Sequence, residues 1–134
     1  METKRFSLNA GMGVRILRIV LGAVFIMHGL QKLGVLRGVG GISKVAGFFG
    51  SVGIPLAPVM AWIITILEIV GGALLIFGVA TRIITVLLTA DMIFALALLH
   101  IKQGWFASEL ALVLLAGLLA VFLERKKDVR MVAF

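Results

Sequence analysis

The sequence predicts an all-α membrane protein, a four-transmembrane-helix bundle with a short interfacial helix between the first and second spans. Hydrophobic residues make up 62% of the 134 residues and charged residues only 14%, whereas soluble domains average roughly 45–50% apolar and about 25% charged residues. The apolar residues are gathered into runs long enough to cross a bilayer, which takes about 20 residues. Because the chain is short for two ordinary domains, we expect a single membrane domain over residues 1–134.

Four apolar runs give the predicted spans. They lie at about 14–33, 58–80, 83–101 and 106–123, and the last is the shortest. Only a tight turn around Arg82 joins the second run to the third. Helices joined by so short a connection are expected to be antiparallel neighbours.

The connection after the first span contains a short amphipathic segment at about 42–52. Its apolar residues fall at helical spacings on one face, and small or charged residues fall on the other. The apolar face consists of Ile42, Val45, Phe48, Phe49 and Val52. Because this segment is too short to cross the bilayer, we expect it to lie in the membrane interface.

The basic residues lie mainly at the flanks of the spans. The net charge is +7, and an even number of spans places nine Lys and Arg on the side of both termini and four on the other side. Cytoplasmic loops carry the excess of such residues. The sequence therefore predicts a multi-pass protein in the lipid bilayer of a prokaryotic plasma membrane, with both termini cytoplasmic. Since the basic clusters flank the spans, we expect no nucleic-acid partner.

Seven polar residues lie within or at the edge of the spans, on the side opposite the termini. They are His28, Gln31, Lys32, Glu68, Asp91, His100 and Glu109. At about 1.5 Å per residue, Glu68 and Asp91 each lie roughly 15 Å below the outer helix ends. An ionised group at that depth costs at least about 2.5 kcal/mol, so it normally faces a partner or a wet cavity. We therefore expect a polar pocket open to the outside, although snorkelling alone explains each rim residue taken singly.

Three stretches of the chain resemble the DoxX family of small membrane proteins. HGLQKL at 28–33 resembles that family's HGxxK signature in the first span. FFGSVGIP at 48–55 resembles its loop, and LEIVGGALLIFGVATR at 67–82 resembles its second span and following turn. His100 and Glu109 match the family's polar positions in the third and fourth spans.

Asp91 has no clear counterpart in the family pattern, so its assignment depends on its depth alone. The resemblance extends over nearly the whole chain between Arg15 and Leu123. It implies a membrane subunit of an oxidoreductase, such as thiosulfate:quinone oxidoreductase, or of an oxidative-stress complex with superoxide dismutase and a sulfurtransferase. It leaves catalytic residues unassigned, and distant relatives resemble chaperones or trafficking factors.

Three functional hypotheses follow. In the first, the pocket binds a quinone and His28 with Glu68 or Asp91 supplies proton donors. Since the chain has no cysteine and no flavin, nicotinamide or haem-binding pattern, electrons would come from a partner redox protein. The second is a non-enzymatic assembly or partner-binding module. The third is proton-coupled transport by a homo-oligomer. A metal site is not predicted, because the spacing of the His and carboxylate residues matches no metal motif.

Overall fold

In the computed structural model, residues 2–36, 40–102 and 104–124 are described, and all of their regular structure is helical. There are five helices in these ranges. They are α1 (Glu2–Leu33), α2 (Ile42–Ser51), α3 (Ala57–Phe77), α4 (Thr81–Lys102) and α5 (Trp105–Leu123). The expectation of an all-α fold is confirmed for this part of the chain.

Three of these helices are long and apolar enough to cross a membrane. The segments are Gly11–Leu33, Ala57–Phe77 and Thr81–Leu98, whereas the apolar part of α5, Ser108–Leu123, is shorter. Large aliphatic side chains are exposed along the outward faces of the long helices. An exposed apolar belt of this extent requires hydrocarbon around it. The chain is therefore a multi-pass membrane protein in contact with the lipid bilayer.

Two helix ends differ from the sequence-based boundaries by three residues or more. Helix α1 begins at Glu2, well before the predicted start at about residue 14. No proline lies between these two points to interrupt the helix. Helix α3 ends at Phe77, three residues before the predicted end. There Gly78 adopts φ +74°, and the N–H groups of Gly78 and Val79 donate to the carbonyl oxygens of Leu75 and Leu74. Glycine in this left-handed conformation is a common helix terminator.

Helix α2 continues the bundle beyond the end of α1. Gly29 of α1 lies against Thr65 and Ile69 of α3, and Lys32, one turn later at the end of α1, reaches Glu68 with its side chain. Farther along, α2 packs against the early turns of α3, where Val45 and Phe49 are buried against Ala61 and Ile64. The depths estimated from the sequence do not include the reach of the Lys32 side chain, which brings its ammonium group to Glu68.

The half of the bundle near the α3–α4 turn is tightly packed, and we call it the packed half. Here a Cβ added to Gly22 or to Gly72 would overlap the carbonyl oxygen of the other glycine, so α1 and α3 touch backbone to backbone. The side chains of Phe25, Leu88 and Leu118 are fully buried beside this contact. Close approach at small residues is the usual way in which helices associate within a bilayer.

Candidate functional site

A cavity of about 480 Å³ lies among the helices in the other half of the bundle, which we call the cavity half. Its polar lining consists of His28, Lys32, Lys44, Glu68 and Asp91. The rest of the lining is apolar and comes mainly from α2, α4 and α5. Cavities of roughly 300–1,000 Å³ with apolar walls and a few convergent polar groups are typical of small-molecule sites.

The Lys32–Glu68 ion pair joins α1 to α3 at the base of this cavity. Lys32 Nζ lies 2.5 Å from Glu68 Oε1, and the side chains are 20% and 1% exposed, respectively. The helices come this close because Gly29 has no side chain: a Cβ there would overlap Ile69. A carboxylate so deeply buried needs a partner of this kind, since an unpaired charge would be strongly unfavourable.

Asp91 brings a second carboxyl group from α4 to the same point. Its residue is 6% exposed, and it lines the same cavity as Glu68. One oxygen of each group, Glu68 Oε2 and Asp91 Oδ2, is buried without a donor. Carboxylate oxygens accept hydrogen bonds. The two unpartnered oxygens can therefore accept hydrogen bonds from a ligand.

His28 lies on the α1 side of the cavity, one turn before Lys32. Its Nδ1 is 2.8 Å from the carbonyl oxygen of Val24. Since a carbonyl oxygen only accepts, Nδ1 donates its hydrogen there, and Nε2 of the neutral ring is an acceptor. The hydrogen bond to α1's own backbone fixes the ring beside the carboxyl groups, where it can exchange a proton through Nε2.

Three phenylalanines form the aromatic wall of the cavity. The rings of Phe49 on α2 and Phe94 on α4 pack edge to face with centroids 5.8 Å apart, and Phe48 lies 6.2 Å from Phe49. Helix α2 is placed for this contact by glycines with positive φ at its two ends, Gly41 at +102° and Gly53 at +86°. The wall gives the cavity flat apolar surfaces beside its polar base.

The structure brings four of the seven sequence-predicted residues together, since His28, Lys32, Glu68 and Asp91 all line the cavity. Two of the other three are placed elsewhere. Gln31 is half-buried but is not part of the lining, and Glu109 is exposed. His100 belongs to α4, and its side chain lies outside the described residues.

Lys44 and the aromatic wall are lining residues that the sequence reasoning did not select. Lys44 lies on α2 and is an exposed residue that contributes to the lining of the cavity. The signal for the phenylalanines was present in the sequence, because Phe48 and Phe49 lie on the apolar face of the amphipathic segment. Phe94 carried no comparable signal. In the described part of the chain, no group of three or more His, Asp or Glu side chains is arranged to hold a metal ion.

The family comparison covers the part of the chain that contains the polar residues of the site. The sequence model of the DoxX family matches residues 13–101, a range that contains His28, Lys32, Glu68 and Asp91. The chain is 37% identical over 96 residues to a Bacillus subtilis protein named "Putative oxidoreductase CatD", covering 72% of this chain and 66% of that protein. It is 34% identical over 86 residues to an uncharacterized membrane protein of Mycobacterium tuberculosis, covering 64% of this chain and 50% of that protein.

The chain thus spans between half and about two thirds of the length of these curated relatives. No solved structure matches it.

Proposed function

We propose that this chain, which belongs to the DoxX family, is a membrane subunit of a quinone-linked oxidoreductase or oxidative-stress complex, and that its cavity binds a quinone head group. The observation that carries the proposal is the meeting of Lys32, Glu68 and Asp91 at one buried point of an otherwise apolar cavity. A quinone ring has apolar faces and two polar carbonyl oxygens, so it needs this combination of surfaces. The oxidoreductase name of the Bacillus relative points in the same direction.

The residues of the cavity suit the two kinds of contact that such a ring needs. Lys32 has three N–H donors, and Glu68 Oε1 accepts one of them, which leaves donors for a ring carbonyl oxygen. Phe48, Phe49 and Phe94 offer aromatic surfaces against which the ring can pack in offset or edge-to-face geometry. The two buried acceptors, Glu68 Oε2 and Asp91 Oδ2, fit the hydroxyl groups of the reduced form.

Proton exchange is the second task that these residues can perform. A bound quinone takes up or gives back two electrons and two protons. The carboxyl groups of Glu68 and Asp91 line the cavity and are proposed to exchange protons with the ligand, and Lys32 balances the negative charge of Glu68. His28 lines the same cavity, and its Nε2 is proposed as a further proton acceptor. The chain has no cysteine, so in this proposal the electrons come from a partner redox protein.

The proposal includes the membrane arrangement. Helix α5 forms a fourth span, α2 lies at the outer interface, and the whole chain forms one domain. Both termini face the cytoplasm of a prokaryotic cell, which is supported by nine Lys and Arg on that side against four on the other. The cavity then opens toward the outer leaflet. Gln31, His100 and Glu109 are proposed to serve the approach to the cavity rather than its base.

Quinone retention by the purified protein tests the proposal. The protein is solubilised in a mild detergent from a quinone-containing membrane, and the extracted lipid is analysed by chromatography and mass spectrometry. We expect a quinone in stoichiometric amount, and we expect Glu68→Gln to lower its occupancy several-fold. Glu124→Gln is the matched control, because Glu124 is exposed and lies at the end of α5.

Two outcomes would count against the proposal. One is an extract without quinone, together with a thermal stability that does not change when a quinone is added. The other is an equal loss of quinone in both Gln variants. A stoichiometric partner protein without redox cofactors would instead favour an assembly role.

A further inference from the structure

A second concave surface lies at the opposite end of the bundle from the cavity. It is an open groove of about 340 Å³ between α4 and α5, lined by Arg82, Ile83, Val86, Leu87 and Phe122. We call it the arginine groove. It shares no lining residue with the cavity, and the proposed function makes no use of it.

The groove has a cationic head and an apolar floor. Arg82 lies in the first turn of α4, and its guanidinium carbon is 5.7 Å from the ring centroid of Phe122. This cation–π contact holds the guanidinium at the end of the groove. Ile83, Val86 and Leu87 follow at the helical spacing of one face, and each is about half exposed. An amphipathic ligand with a headgroup near Arg82 and an alkyl chain along α4 fits this surface.

The charge of Arg82 is not neutralised within the described part of the chain. The ion pair found there joins Lys32 to Glu68, and no carboxylate oxygen of the described residues lies within 4 Å of the Arg82 side chain. Glu124, two residues beyond Phe122, is exposed and makes no such pair. A guanidinium beside hydrocarbon favours an anionic partner, and phosphate is one that it binds in a bidentate manner.

The surrounding sequence strengthens the attraction for anions. Arg18 comes from the same end of the bundle, where its guanidinium lies about 3 Å from the position of a Cβ on Gly78. The sequence after α5 adds four basic residues in quick succession. They are Arg125, Lys126, Lys127 and Arg130. Basic pockets between membrane helices commonly bind the headgroups of anionic lipids.

From this geometry we propose that the arginine groove is a binding site for an anionic phospholipid, with the phosphate at Arg82 and one acyl chain against Ile83, Val86 and Leu87. The apolar floor selects a lipid, and the guanidinium, which has no carboxylate partner among the described residues, selects an anionic one. The site is independent of any ligand in the cavity.

Native mass spectrometry of the detergent-solubilised full chain tests this proposal. Phosphatidylglycerol and phosphatidylcholine with identical acyl chains are added in turn, and the retained lipid is counted per protein. We expect the wild type to retain one phosphatidylglycerol in preference to phosphatidylcholine. Arg82→Gln should lower that preference about fivefold, which corresponds to the loss of about 1 kcal/mol per basic residue near a charged membrane surface.

Three further variants separate a built site from a general effect of charge. Arg15→Gln removes the same charge from an exposed position outside the groove and should leave the preference unchanged. Arg82→Lys keeps the charge but not the planar guanidinium, so it should lower the preference less than Arg82→Gln does. Val86→Trp fills the floor and should lower the retention of both lipids. Equal retention of the two lipids by the wild type would overturn the proposal. So would an equal loss in Arg15→Gln and Arg82→Gln, or a Val86→Trp variant that binds both lipids as the wild type does.

Discussion

In the packed half, α1 and α3 touch backbone to backbone at Gly22 and Gly72, whereas in the cavity half the same two helices are joined by the Lys32–Glu68 ion pair beside a cavity of about 480 Å³. The first contact is apolar and leaves no space for a methyl group. In the second contact, charged groups occupy positions that apolar side chains of similar size would fill at a lower cost in free energy. One pair of helices thus combines two kinds of contact along its length.

This difference indicates that stability and function are divided between the two halves of the bundle. Within a bilayer, helix association depends on close van der Waals packing, which the packed half provides. A buried ion pair contributes little net stability compared with apolar residues of similar size, because both charges must be desolvated. We therefore expect the packed half to hold the fold together, and the cavity half to retain its polar groups for ligand binding.

The largest expected effect comes from Gly22→Leu. Its side chain would meet the backbone of Gly72 and the side chain of Ile76, so the helices must separate. We expect a loss of about 3 kcal/mol or more in the free energy of unfolding, at the upper end of the range for overpacking. Unfolding in mild detergent, followed by tryptophan fluorescence, measures this loss.

Gly13→Leu is the control for that experiment, because a Cβ at Gly13 has nothing within 4 Å. Leucine is also a better helix former than glycine. We expect this variant to be as stable as the wild type or slightly more stable. Similar losses in the two variants would mean that the Gly22–Gly72 contact has no special importance.

The next largest effect is expected for Lys32→Met. It leaves the buried Glu68 carboxylate without its partner, and we expect a loss of about 2–3 kcal/mol. Adding Glu68→Leu to Lys32→Met should restore stability to the wild-type level or above it, because no unpaired charge then remains. A double variant that is less stable than Lys32→Met would show that the ion pair holds the fold together, which contradicts the division between the halves.

The positions of the helices could be predicted from the sequence because hydropathy and chain length determine them. Asp91 and Glu68 could be placed at one level because each lies at the middle of its span. The end of α3 could also have been predicted, since Gly78 is a typical residue after the last turn of a helix. These features depend on local sequence and on simple distances along a helix.

The remaining features depend on how the helices are rotated and staggered. On α5, Ser108 is buried and Glu109 is exposed, and a rotation by one residue would reverse them. The contact of Lys32 with Glu68 depends on the height at which α1 lies against α3, where Gly29 meets Ile69, and the sequence gives no direct measure of that height. Phe94 joins the aromatic wall because α2 packs on α3 and brings Phe49 against its ring. Packing between helices decides all three.

A smaller effect is expected at the turn glycines, one in each half. Gly78→Ala and Gly53→Ala both place a side chain on a residue with positive φ, +74° and +86°, which costs about 1–2 kcal/mol. Gly78 also has the Arg18 guanidinium about 3 Å from the Cβ position, whereas Gly53 has nothing within 4 Å. We therefore expect the loss at Gly78 to exceed that at Gly53, as measured by the same unfolding experiment. An equal loss would mean that Arg18 moves aside freely.

The smallest effect on stability is expected for Asp91→Asn, and it should have the opposite sign. Asparagine has the same shape, and its amide can donate to Glu68 Oε2 without a titrating proton. Removing a buried ionisable group should leave the free energy of unfolding unchanged or raise it by about 1 kcal/mol or less. Quinone retention should nevertheless fall several-fold if Asp91 serves the ligand, while Glu124→Gln changes neither quantity. A marked loss of stability with quinone retention unchanged would make Asp91 a structural residue, and the polar base of the cavity would then belong to the packing of the bundle.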